Sequence, residues 1–178
     1  MKLEELRNSV RTGDWILPLD TKTFIGKWIK RLTFGKTNHI AIVYDIQSVF
    51  ETDISYLKAK FHPLEGYANR HILLIRPRFL ADFRLLQTLC KKYEGSPYSC
   101  WDIVTNAILT PFAPQIKTKL VELFGSKRFM ICSELVSRIV YETTSYKLLA
   151  DYEGMTPEGL RELAYLHPTD FEIREILA

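Results

Sequence analysis

A chain of 178 residues, 47% hydrophobic and 25% charged, has the profile of one globular domain (1–178). At that size it can bury roughly 70% of the surface its unfolded form exposes. Its 24 basic and 21 acidic side chains leave a net charge of +3, too small to argue for a nucleic-acid partner. The sequence shows no internal repeat and no low-complexity tract.

The first eight residues read as a short helix. The opening MKLEELRNSVRTGDW is polar and mixed in charge, without the apolar run of a secretory signal, so a cytoplasmic protein is expected. DWILPLD follows as an extended segment that Gly13 opens and Pro18 interrupts. TFIGKWIKRLTF sets Phe24, Ile25, Trp28, Ile29 and Leu32 at helical spacing, with Lys22, Lys27, Lys30 and Arg31 on the polar side. HIAIVYD and SVFETDIS are β-branched runs with a short connection, which predicts an antiparallel hairpin. HILLIRPR is a third strand, which Pro77 ends or places at a sheet edge.

From there the pattern turns helical. FLADFRLLQTLCKKYEG ends in Gly95, suited to the position just past a helix. Further helical patterns cover roughly 100–109, 115–124 and 130–144. TPEGLRELAYL closes the set, with Thr156 as N-cap and Pro157 at the first helical position. Strands early and helices late predict an α+β protein with a small antiparallel sheet packed against helices. The longest uncharged apolar-rich stretch, IVTNAILTPFAP, is short and broken by Pro111 and Pro114, so no transmembrane segment is expected.

Cys90, Cys100 and Cys132 make an odd count with wide gaps, unlike a zinc knuckle or a disulfide framework. No metal and no cofactor is inferred. A cysteine with a function here is then a nucleophile, which needs its thiolate form. A helix N-terminus favours the thiolate, and a neighbouring histidine can take the proton. Cys132 falls in the first turn of FMICSELVSRIVYE, on the side that carries Leu135, Val136 and Ile139. The competing reading is a small core residue, because free cysteine is commonly buried. Cys90, among Leu86, Leu89 and Tyr93, reads as core filler.

Cys100 sits in SPYSCWD, a setting like a papain nucleophile. Papain order demands a histidine well downstream, and only His167 follows, before a proline and outside any strand pattern. Cys100 is therefore set aside. Among the histidines, His39 opens the apolar run NHIAIVYD, where an imidazole needs a partner or a purpose. His62 and His71 read as edge or loop residues.

His39 on an early strand and Cys132 at a later helix N-terminus, with RTGDWILPLD, YEGSPYSCWD and MTPEGLREL around them, resemble the permuted papain-like cysteine hydrolases. These are a branch of the NlpC-type superfamily that includes the lecithin:retinol acyltransferase relatives. The resemblance spans roughly residues 10–165. It implies a permuted papain-like fold in which the histidine strand precedes the nucleophile helix. It also implies peptide, amide or acyl-ester substrates and a thioester acyl-enzyme.

A third group must fix the imidazole. Asp45, on the same strand about 20 Å along by strand rise, cannot reach. Glu51 and Asp53 share a face with His39 only if the hairpin loop holds an odd number of residues. A two-residue loop would present Thr52 and Ile54 instead. The family places its third polar residue about a dozen positions after the histidine, which matches Glu51, with Asp53 as the reserve.

The backbone N–H of Cys132 is the first oxyanion donor to consider, and Tyr44 a second despite its opposite parity. Glu134, near the helix start, reads as a partner of the helix dipole. Lys27, Lys30 and Arg31 offer weak contact with an anionic surface, although a solvated basic face explains them as well. The alternative of another class is a non-catalytic binding module on the same fold.

Overall fold

The computed structural model describes residues 2–20, 35–53, 57–80, 82–97, 130–150 and 155–177. The architecture is α+β. Among the described residues, β1 (Trp15–Pro18), β2 (Ala41–Val43), β3 (Ser48–Asp53), β4 (Lys58–Pro63), β5 (Ile72–Pro77) and β6 (Phe171–Ile176) form one antiparallel sheet in the order β4-β3-β2-β1-β5-β6. The helices are α1 (Leu3–Ser9), α2 (Phe83–Tyr93), α3 (Cys132–Thr144) and α4 (Pro157–Leu166). None of these is long and apolar enough to cross a membrane.

Strand alternation divides the core between the two faces of the sheet. Trp15, Leu17, Ile40, Ile42, Phe50, Leu73 and Ile75 meet α2, α3 and α4 through Leu86, Leu135, Val136, Ile139 and Leu160. Ile16, Ala41, Val43, Val49, Ile72 and Leu74 face the other way, onto Leu6 and Val10 at α1 and onto Leu64 and Tyr67. The last two belong to a short 3-10 turn, Leu64–Tyr67.

The turn into β1 is fixed by backbone chemistry. Gly13 has φ +91°, and a Cβ there would lie 2.2 Å from Leu80 Cδ2, so only glycine fits. Its N–H donates to the carbonyl of Val43 at 2.8 Å. Next to it, Asp14 is 1% exposed and accepts from Arg76 Nε at 2.8 Å and Nη2 at 2.7 Å, with Arg11 N–H adding a third bond at 2.8 Å. Arg76 also donates to the Ser9 carbonyl, so one ion pair ties α1, β1 and β5 together. Removing one partner would strand the other charge in the interior, at a cost of about 3–5 kcal/mol.

One expectation needs correction, one alternative is decided, and one strand is new. The strands do not all lie early: β6 returns from the C-terminal end to pair with β5 over its whole length. Consequently β5 is flanked by β1 and β6, and Pro77 ends it without placing it at an edge. The segment KAKFHP forms β4, a strand that the sequence pattern did not suggest. His62 belongs to it, whereas His71 stands just before β5 and bonds Glu175 Oε1 at 2.6 Å.

The helix ends follow their capping chemistry. Asp82 caps α2 by accepting from Leu85 N, and Gly95 follows the helix at φ +81°. Thr156 caps α4 through Gly159 N at 2.9 Å, with Pro157 at its first position. The amphipathic stretch with Lys27, Lys30 and Arg31, the helical patterns at 100–109 and 115–124, and Cys100 lie outside the described residues.

Candidate functional site

The β2–β3 hairpin decides which acid meets His39. Val43 pairs with Val49 and Ile42 with Phe50, and Tyr44 N–H donates to the Ser48 carbonyl at 3.0 Å. The loop is therefore Asp45, Ile46 and Gln47, an odd number. Asp45 holds it closed, because its Oδ1 accepts from Gln47 N, Ser48 N and Ser48 Oγ at 2.7–2.8 Å. An odd loop sends Glu51 to the face that carries Ala41 and Val43, which alternation also gives to His39.

The pairing follows. His39 Nε2 lies 2.8 Å from Glu51 Oε2, with the two side chains 15% and 7% exposed. Asp53 closes β3 opposite Lys58, and its side chain is outside the described residues.

Cys132 arrives from the other face of the sheet. It is the first residue of α3, 4% exposed, and it packs in the helix-side core with Leu135, Val136 and Ile139. His39 precedes the ladder, which begins at Ala41, so its ring lies where a group from either face can reach it. The Cys132 side chain stands close enough to the His39 imidazole to help raise its pKa. With Nε2 committed to Glu51, Nδ1 is the ring nitrogen left for the sulfur. Thus the chain brings residues 39, 51 and 132 to one place, with His39 bonded to Glu51 and the Cys132 side chain beside it.

The electrostatics of that grouping favour a charged imidazole. Burial lowers the His39 pKa, but the Glu51 carboxylate and the Cys132 side chain outweigh it and hold the ring well above its ordinary 6.5. For Glu51, burial raises the pKa, yet the charge and hydrogen bond of His39, the Tyr67 hydroxyl and the charge of His62 bring it below 4.5. The group is an ion pair of imidazolium and carboxylate, with the Cys132 sulfur as the ring's other neighbour.

Tyr67 is the neighbour of Glu51 that sequence reasoning missed. It sits at the end of the 3-10 turn, 4% exposed, and its hydroxyl donates to Glu51 Oε2. Burial first, and then the Glu51 charge, push its own pKa well above 10, so it stays protonated and remains a donor. Arg70 stands 5.6 Å from the centre of the Tyr67 ring while paired with Asp20 at 3.0 Å. A tyrosine on an isolated turn carries no periodic signal, which is why no pattern singled it out.

Two secondary expectations come out differently from each other. Glu134 Oε2 accepts from the Ile131 N–H at 3.1 Å, the helix-start role expected of it. Tyr44 is no oxyanion donor. It lies five residues along the strand from His39, about 16 Å by strand rise, and its ring packs edge-on against Phe61 at 4.7 Å. The Cys132 backbone N–H belongs to the first turn of α3, where the helix itself offers no acceptor.

Among the described residues, no group of three or more His, Cys, Asp or Glu side chains is arranged to hold a metal ion. The chain matches no protein-family model and no curated protein sequence.

Proposed function

We propose that this chain is a cysteine hydrolase or acyltransferase with a permuted papain-like architecture, acting on peptide, amide or acyl-ester substrates. The observation that supports it best is the grouping of Cys132, His39 and Glu51, assembled from a helix N-terminus, the segment just before β2, and β3. The order of histidine strand before nucleophile helix agrees with the permuted branch of that superfamily. In this reading residues 1–178 form one catalytic domain in the cytoplasm, working without metal or cofactor.

In the first half-reaction the pair reacts with the thiol proton already held by His39, and the thiolate of Cys132 attacks the acyl carbon. The carbonyl electron pair moves to oxygen, and the Cys132 N–H donates a hydrogen bond to the oxyanion so formed. As the tetrahedral adduct collapses, the bond to the amine or alcohol breaks and His39 returns the proton to that leaving group. In the second half-reaction His39 takes a proton from water or another acceptor, which attacks the thioester and releases the thiolate. Glu51 keeps the ring oriented and balances its positive charge throughout.

The test is intact-mass detection of an acyl-enzyme with a panel of activated ester and amide probes, mapped by proteolysis. The reading expects a probe-derived mass on Cys132 that hydroxylamine removes. A binding module on the same fold would leave Cys132 unmodified by every probe and no faster than a free thiol toward iodoacetamide. Label on Cys100 in a Cys132→Ala variant, retained with turnover, would instead favour papain order with His167.

A further inference from the structure

The segment Met155-Thr156-Pro157-Glu158, at the start of α4, bonds chain neighbours of both halves of the proposed dyad. On the nucleophile side, Ser133 is fully buried beside Cys132, and its Oγ donates to the Met155 carbonyl at 2.5 Å. On the histidine side, Glu158 Oε2 accepts the backbone N–H groups of Lys36 at 2.7 Å and Thr37 at 3.1 Å. Thr37 is 1% exposed and shares its hydroxyl proton between the carbonyls of Pro18 at 3.1 Å and His39 at 3.0 Å. Glu158 is itself held from behind, because its Oε1 meets Arg161 Nη2 at 2.6 Å and Nε at 2.7 Å.

These bonds form a continuous path. It runs from Cys132 through Ser133 to Met155, along the chain to Glu158, across to Thr37 and on to the backbone of His39. α3 and the His39 segment belong to distant parts of the sequence and approach the sheet from different sides. A rigid bridge between them sets how far the sulfur sits from the ring. Backbone-directed bonds suit that task, since they fix main-chain position and not merely a side-chain rotamer. The N-cap of Thr156 and the fixed φ of Pro157 stiffen the bridge at its middle.

We infer that Glu158 and Thr37 are positioning residues, which with the Met155 carbonyl form a clamp that sets the Cys132–His39 separation. The inference rests on the proposed cysteine chemistry. The clamp touches neither sulfur nor imidazole, so its loss leaves every reacting group in place and loosens only their spacing.

The experiment compares the wild-type chain with Thr37→Val and Glu158→Ala. It measures the pH dependence of Cys132 alkylation by iodoacetamide, kcat and KM on a thioester-forming ester probe, and the melting temperature. Thr37→Val removes one hydroxyl at nearly constant volume and serves where Glu158→Ala does not fold. The clamp predicts that kcat falls about tenfold with KM within twofold, and that the alkylation profile moves about one pH unit toward that of a free thiol. A lower melting temperature with wild-type kcat and an unmoved alkylation profile overturns the clamp and leaves the cysteine mechanism standing. Wild-type alkylation indistinguishable from a free thiol overturns the mechanism itself, and the clamp falls with it.

Discussion

Cys90 lies in the last turn of α2 and Cys132 opens α3, and both thiols are buried in the same apolar cluster on one face of the sheet. Around Cys90 the neighbours are Leu86, Leu89 and Tyr93, and burial pushes its pKa up to about 12. Around Cys132 stand the His39 imidazole and, behind it, Glu51 and Tyr67. Burial is common to both sites. What differs is the helix position and the presence of a proton acceptor fixed by a carboxylate. Depth alone makes a cysteine inert, whereas depth with a prepared acceptor gives its proton somewhere to go.

The comparison breaks most directly by removing each sulfur in turn. Cys132→Ala should abolish acyl-enzyme formation, with at least a ~1,000-fold loss in kcat. Cys90→Ala should keep wild-type kcat and lose about 1 kcal/mol of stability from the vacated core volume. Burst kinetics and urea unfolding measure the pair. Equal losses of activity in both variants would erase the distinction drawn between the two sites.

A smaller effect should follow from Glu51→Gln, which keeps the shape and removes the charge. We expect roughly a hundredfold loss in kcat, since the imidazolium loses its counter-charge. Stability should change with pH in a defined window. A raised imidazole contributes fully below its ordinary 6.5, and that contribution is lost as pH climbs through the folded value. A lowered carboxylate contributes fully above 4.5 and loses its part as pH falls through the folded value. The gap in urea midpoint between wild type and Glu51→Gln should therefore be widest between pH 4.5 and 6.5. A gap independent of pH would mean that Glu51 acts by packing alone.

Tyr67→Phe should have the mildest effect, about tenfold in kcat, equivalent to one hydrogen bond of roughly 1.4 kcal/mol to a charged acceptor. KM should hardly move, because the hydroxyl faces Glu51. A larger effect on KM than on kcat would assign Tyr67 to substrate contact.

Much of this geometry was legible in the sequence because it rests on short-range rules. Alternation in NHIAIVYD and SVFETDIS, with an odd loop closed by Asp45, suffices to bring Glu51 to His39, although the loop parity itself came only from the structure. The helix start at Cys132 was readable from the apolar spacing of Leu135, Val136 and Ile139. The misses have physical causes as well. In β4, KAKFHP carries two lysines and a terminal proline and is mostly not buried, so it shows no apolar face to detect. In β6, FEIREI is half-exposed, and its partner Ile72–Pro77 lies about a hundred residues earlier in the chain. Tyr67 and the bridge from Glu158 to Thr37 depend on contacts between segments distant in sequence, which no local periodicity encodes.

The central claim is that Cys132 and His39 share a proton, and NMR titration of the His39 ring nitrogens tests it most directly. The account predicts an imidazole that stays protonated well above pH 6.5 in the wild-type chain. It predicts further that the midpoint falls in Cys132→Ala, because a group that raises it has been removed. A midpoint at or below 6.5, or one that Cys132→Ala leaves unchanged, would contradict it.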